Sequence, residues 1–332
     1  VGVPVKVHEK VKLKRIWKNA AGETLVDFGR NMAGILEIGP IDGKAGQRIV
    51  IRHGELVQND ELYTGNLRTA KQTLDYTCRD GIQTYRAEFT YMGFQYVAVT
   101  GMEVTEENLA AWDIYSDMEQ IGDFSCSDER LNQFQKNIQT SLKANFVDIP
   151  TDCPQRDERC GWTGDIALFA PTAAFNMDIA GFMNKWLGDL ALVQEAVGVV
   201  PSIVPSNGFI RDRKSNFWAK IYDKDDAVWG DAAVLVTWAV FQSNGDVSLL
   251  DRQYDSMKAW VEYERTMAEK GALGNRYKKY IWNRGFHLGD WLAPGENVAQ
   301  WMVKAKWTST AYFANSARIL SRAAEILGKE ED

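Results

Sequence analysis

Four carboxylates, two guanidinium groups and one indole fall within the fifteen residues Thr151 to Asp165: Asp152, Arg156, Asp157, Glu158, Arg159, Trp162 and Asp165. Unpaired charge is expensive to bury, and the apolar run that follows, Ile166 to Ala170, sets the cluster at the border of a core. Paired carboxyls are what glycosidic cleavage needs. One, protonated, gives its proton to the leaving oxygen, and the other stabilises positive charge or activates water. Asp152 and Glu158, with Asp157 and Asp165, offer such a pair, and Arg156 and Arg159 would hold some of them ionised. The competing reading is a salt-bridged loop between two helices.

Two further stretches combine acid, Trp and Gly. Trp229-Gly230-Asp231 precedes an apolar run, so Asp231 reads as a helix N-cap with Trp229 at the helix mouth. In the loop Phe286 to Glu296, Asp290 and Trp291 are site candidates, against a turn filled by an aromatic plug. Ten of the 12 Trp lie after position 150. Many tryptophans around carboxylates in an acidic chain suit a carbohydrate, whose apolar face stacks on indole while its hydroxyls bond to charged groups.

Other chemistries are poorly supplied. Neither G-x-G-x-x-G, nor Walker A, nor G-x-S-x-G occurs. The three His and four Cys have no zinc spacing, so the sequence implies no metal and no cofactor. Cys153 and Cys160 read as small buried thiols, and Cys160 as a nucleophile lacks an evident base. A net charge of −7 without a basic run disfavours nucleic acid. No run approaches the roughly 18 apolar residues of a membrane span. The chain opens Val-Gly-Val-Pro, which reads as an excised segment or a mature form; the compartment stays open, with periplasmic or secreted favoured over cytoplasmic.

The elements that must position these groups change in period along the chain. Its 332 residues, 45% hydrophobic and 25% charged, suit two soluble domains. Residues 1–117 read as β: Val3, Val5 and Val7 alternate, and Ile35 to Ile38, Arg48 to Arg52 and Tyr91 to Val99 are short β-rich runs. Turn signals at Asn19 to Gly22 and Asp42-Gly43 favour an antiparallel sandwich. Residues 118–332 read as helical. Ser127 is the expected cap of a helix with Leu131, Phe134, Ile138 and Leu142 on one face. Asp246 should cap another bearing Leu250, Tyr254, Met257 and Val261, with Gly271 at its C-cap. A third runs from Trp307 to Leu327. Ile166 to Phe175 and Ala232 to Phe241 are apolar on nearly every side and need enclosure by other helices; Pro171 should kink or restart the first. Enclosed and amphipathic helices in alternation describe a two-layer toroid. Residues 196–228 and 272–306 are long loops, which in a compact domain are usually functional.

The run Pro150 to Asp165, PTDCPQRDERCGWTGD, with Ala170 to Asp178, resembles the bacterial α-L-rhamnosidases of glycoside hydrolase family 78. The resemblance extends to Gly198 to Pro201, Trp229 to Ala232 and Gly289 to Leu292. In the β half it extends to Asp27 to Gly34 and Phe89 to Tyr96. It implies an antiparallel β-sandwich followed by an (α/α)6 barrel truncated to about its first half, and hydrolysis of terminal α-L-rhamnosides with inversion. It also implies Glu158 as general acid, with a raised pKa suiting that role. Asp152, Arg156, Trp162 and Asp165 would hold the sugar or tune the acid, and Trp229, Asp290 and Trp291 would line the pocket. The ligand implied is a rhamnose-containing glycoside or polysaccharide. The family's base is a glutamate from later barrel helices, so this chain, with roughly six helical segments, is expected to lack it. Apolar faces left uncovered would favour self-association. The alternative is a non-catalytic carbohydrate-binding or structural fragment.

Overall fold

The computed structural model describes residues 2–205, 226–270, 280–283, 285, 287–329 and 331. They form two compact units: Val3–Asp117 with Phe124–Arg159, and Val1–Gly2 with Met118–Asp123 and Cys160–Asp332.

The first unit is built on an eight-stranded antiparallel sheet. Its strands are β1 (Val5–Val11), β2 (Arg15–Lys18), β3 (Thr24–Gly43), β4 (Arg48–Gly54), β7 (Thr73–Thr77), β8 (Gly81–Arg86), β9 (Met92–Thr100) and β10 (Leu109–Ser116). The 20-residue β3 pairs with β2 and β9 near its start and with β10 and β8 further on, with register shifts between Asp27 and Met32 and between Ile38 and Ile41. Such irregularities bend a strand, and the bends let β3 serve both layers of an antiparallel sandwich. Alternation does the burying: Ile49 and Ile51 of β4 join Val26, Leu36, Ile38, Phe94, Val97 and Val99 in one core. The valine alternation near the N-terminus does not, because Val5 and Val7 are exposed on β1, which pairs only with β10.

Two smaller features of this unit matter for the site. A hairpin of β5 (Leu56–Gln58) and β6 (Glu61–Tyr63) leads through a 3₁₀ turn at Gly65–Leu67 into β7. Helix α1 (Glu129–Asn145) packs on β3 and β10 and passes through β11 (Phe146–Val147) and β12 (Ile149–Pro150) into the acidic run. The cap of α1 is Asp128, not Ser127: its carboxylate accepts the Arg130 N–H at 2.9 Å. Of the expected apolar face only Leu142 is buried, while Leu131 and Phe134 are exposed.

The second unit is helical: α2 (Thr163–Asn176), α3 (Ala180–Val197), α4 (Ala232–Asn244), α5 (Val247–Glu269) and α6 (Val298–Leu327). Asp246 caps α5 by accepting from Ser248 N at 2.9 Å, and Leu250, Tyr254, Met257 and Val261 are buried as their spacing requires. Helix α4 is enclosed. Helix α2 is not: it runs unbroken through Pro171, and Leu168 and Phe175, seven residues apart on one face, are exposed, Phe175 to 83%. Helix α6 begins nine residues before Trp307, at Val298, because Asn297 and Gln300 make a reciprocal capping box. Residues 298–306, expected in a loop, are therefore helical. The expected C-cap Gly271, Phe286 and residues 206–225 of the first long loop lie outside the described residues. No helix among the described residues is long and apolar enough to cross a membrane.

Candidate active site

The acidic loop is fixed within the sheet unit by backbone contacts before any charge acts. Thr151 turns the chain back on α1, its N–H and hydroxyl both donating to Asn145 O at 2.8 and 3.0 Å. Strand β9 then lies so close to the loop that a Cβ on Gly93 would sit 2.6 Å from the Pro154 carbonyl carbon and 2.8 Å from Gln155 N. From the far side the Gln72 side-chain amide donates to Gln155 O, while Gln72 O accepts from His53 N at 2.9 Å and lies 2.8 Å from His53 Nδ1. Burial pushes His53 down to about 4, so the ring is neutral at physiological pH and Nδ1 carries the proton in this geometry. Gly93→Ala must displace the loop or the strand. It should lower activity about 10²-fold, as an ångström of misplacement does, while costing about 1–3 kcal/mol of stability by overpacking; steady-state kinetics beside thermal melts would read both.

The charges then form a chain. Arg156 donates from Nη2 to Asp152 Oδ2 at 3.1 Å and from Nε to Glu158 Oε2 at 2.9 Å, bridging the two carboxylates. A second guanidinium meets the same oxygen: Arg68 Nη2 lies 2.9 Å from Glu158 Oε2. Arg159, the other expected partner, meets an aromatic ring instead. Its backbone has φ +51° and its guanidinium lies 4.5 Å from the centre of the Tyr91 ring, where cation–π attraction holds it. Asp152 is the more enclosed carboxylate, with a side chain 7% exposed against 18% for Glu158.

This chain also argues against a cation site. Asp152, Cys153 and Glu158 bring one potential ligand atom each within 4.8 Å of one another, but the Arg156 guanidinium already bridges both carboxylates where an ion would compete. Burial, with the adjacent Asp152 charge, pushes the Cys153 thiol up to about 12, so it is no nucleophile near neutral pH.

Within the helical unit the aromatic candidates gather separately. Trp162, Trp229, Leu288 and Tyr312 belong to one apolar cluster with Val228. Trp162 starts α2. Its neighbours are pinned to the segment after α3, with Thr163 N donating to Ser202 O at 2.9 Å and Val204 N to Gly161 O at 2.9 Å. Gly164 is required there, because a Cβ would fall 2.4 Å from the Trp229 indole lying on the first turn of α2. Asp226 and His287 join the two loops of the cluster: Asp226 accepts from Leu288 N at 2.8 Å, and Ala227 N donates to His287 Nδ1 at 3.3 Å. Asp290 and Trp291 lie on an exposed turn just beyond Leu288, and Asp165 is exposed in the first turn of α2.

Asp231 occupies the N-cap position of α4 as expected, but its side chain makes no capping bond. Its own φ and ψ are helical, and it accepts from Val228 N at 2.7 Å and from Ser316 Oγ instead. This holds Val228 at φ +75°, which a β-branched residue adopts only under constraint. The strained residue immediately precedes Trp229. Gly230 on the other side packs against Trp260, where a Cβ would lie 2.0 Å from the ring. Beside Asp231 is Glu264, fully buried, with no protein donor at either oxygen among the described residues. Burial, and then the neighbouring Asp231 carboxyl, raise Glu264 well above the ordinary range, and burial raises Asp231. Both shifts favour the neutral form, most strongly at Glu264.

The chain belongs to the bacterial α-L-rhamnosidase family: residues 119–332 match the family's 6 hairpin glycosidase domain and residues 18–115 its concanavalin-like domain. It is 33% identical to α-L-rhamnosidases of Formosa agariphila and Streptomyces avermitilis over 98% of its length, spanning 34% and 29% of those proteins. The solved α-L-rhamnosidase of Aspergillus terreus superposes with a TM-score of 0.87 at 35% identity, covering 99% of this chain and 37% of that one. The Streptomyces avermitilis enzyme, solved with L-rhamnose, gives 0.86 at 33% identity, covering 99% and 30%. The chain thus spans about a third of the relatives it matches.

Proposed function

We propose that this chain carries the acid half of an inverting α-L-rhamnosidase, with residues 1–117 as accessory sandwich and 118–332 as the opening part of the catalytic barrel. The observation that carries this reading is the Asp152–Arg156–Glu158 chain of charges in a member of the family. Glu158, the more open carboxyl, donates a proton to the glycosidic oxygen as the bond to the anomeric carbon breaks. Asp152, through Arg156, fixes its plane. Asp165 holds the sugar or tunes the acid. Trp162 and Trp229 supply apolar faces to the sugar ring, and Trp229 brings a buried indole N–H with no protein acceptor among the described residues, which a sugar hydroxyl would satisfy. Asp290 and Trp291 contribute at the pocket's rim.

Inversion needs a second carboxylate about 6.5–9.5 Å from the acid, with water between. Asp157 is tied to Thr69, and Asp231 and Glu264 are fully enclosed, so these three do not serve. The base is assigned to residues other than those described. The rhamnose bound to the Streptomyces avermitilis structure supports a rhamnose-containing glycoside or polysaccharide as ligand.

The test is turnover of an α-L-rhamnoside by the complete gene product, beside calorimetric titration of this chain with L-rhamnose. Release of rhamnose by the gene product supports the enzyme reading. Binding without any turnover would support the alternative, a carbohydrate-binding fragment. Taken alone, the chain should self-associate through Leu168 and Phe175 of α2. Sedimentation velocity should show its association reduced in a Leu168→Ser, Phe175→Ser variant, and a monomer at all concentrations would contradict this.

A further inference from the structure

We propose that the strap joining β6 to β7, residues 64–72, aims the acid, and that Arg68 on it is a positioning residue for Glu158. The inference rests on the reading of Glu158 as proton donor and adds a strap of the sheet unit to the catalytic machinery.

Three strap residues grip three consecutive parts of the acidic loop. Arg68 Nη2 lies 2.9 Å from Glu158 Oε2, the oxygen that Arg156 Nε also reaches at 2.9 Å. Thr69 bonds to Asp157 through its hydroxyl and, at 3.3 Å, through its N–H, and this hydroxyl bond holds Asp157 below the ordinary carboxylate range. Gln72 donates to Gln155 O. Two guanidinium groups on one carboxylate oxygen fix that oxygen's position more firmly than a single ion pair at a half-open surface does.

The strap is held in an unfavourable conformation to do this. Arg68 has φ +56° and ψ −110°, and Gln72 has φ +46°. Neither is Gly or Asn, the residues that tolerate positive φ. Backbone strain of this kind persists where surrounding contacts over-determine it, and such positions cluster at functional sites. The Arg68 side chain, 54% exposed, is not retained for core packing. Its consistent use is the contact with the acid.

The test compares Arg68→Gly, Arg68→Lys and Glu158→Gln in the complete gene product. Two α-L-rhamnosides are used, one with a nitrophenyl leaving group and one with an alkyl leaving group that requires protonation. Arg68→Gly relieves the backbone strain, so its melting temperature should be unchanged or higher. Its kcat on the alkyl rhamnoside should fall about tenfold or more beyond any fall on the nitrophenyl one, the discrimination expected when general-acid assistance is impaired. Arg68→Lys, keeping one charge without the planar fork, should recover part of that loss. Equal losses on both substrates, or an unchanged alkyl rate, would overturn the proposal while Glu158→Gln still discriminates between them. If Glu158→Gln also slows both equally, the donor reading itself fails and the strap's role with it.

Discussion

Replacing Glu158 with Gln is expected to lower kcat on an alkyl α-L-rhamnoside by about 10²–10⁴-fold, the usual contribution of a general acid, and to spare a nitrophenyl rhamnoside by comparison. The amide is nearly isosteric and can still meet a guanidinium-lined oxygen position through its carbonyl, so the loop should keep its shape. What is lost is the transferable proton. A good leaving group departs without protonation, and an alkoxide does not. Wild-type-like turnover of the alkyl substrate by Glu158→Gln would remove the assignment. Asp152→Asn should have a different signature: it loosens the Arg156 bridge rather than removing the proton, so its loss should depend less on the leaving group.

The second large effect concerns the buried pair behind Trp229. Glu264 has its folded pKa raised above its unfolded value, near ~4.3 for a free Glu, chiefly by burial. For a carboxyl shifted in this direction, the stability it contributes is fully present below the unfolded value. That contribution declines as the pH rises toward the folded value, because the unfolded chain can ionise and the buried group cannot. Wild type should therefore lose stability from about pH 5 upward through this pair, and Glu264→Gln, whose amide donates to Asp231 without titrating, should flatten that slope. Glu264→Ala, leaving a cavity beside Asp231, should cost about 2–5 kcal/mol. Denaturant titrations between pH 5 and 8 would show this, and parallel slopes for wild type and Glu264→Gln would contradict a Glu264 held neutral by burial.

Much of the architecture was legible because periodicity reports burial directly. The β4 alternation, the α5 face with its Asp246 cap and the all-round apolar α4 each follow from local spacing. The acidic loop was legible as composition, since four carboxylates beside a core need an explanation. Its partners were not. Arg68 and Thr69 lie in a polar turn with no period, and Thr69 is 88 residues from Asp157; nothing local distinguishes Arg68 from a solvated arginine. Arg159, adjacent in sequence to Glu158, was the plausible partner, yet a positive φ turns it onto Tyr91. Asp231 illustrates the same limit: Asp before an apolar run has the residue type of a cap, but Ser316 and Glu264 come from other helices and redirect it. The capping box at Asn297 and Gln300 was readable, but the Gly, Asn, Asp and Trp content of the stretch favoured a loop. The exposed face of α2 has no local signal, since Leu168 and Phe175 read as core by type.

The most direct measurement is the anomeric form of the first product. Proton NMR of the complete gene product acting on an α-L-rhamnoside should show β-L-rhamnose accumulating before mutarotation, as a single displacement by water requires. Initial release of α-L-rhamnose would mean that a second carboxyl attacks the sugar itself, and would contradict a Glu158 acid paired with a distant base.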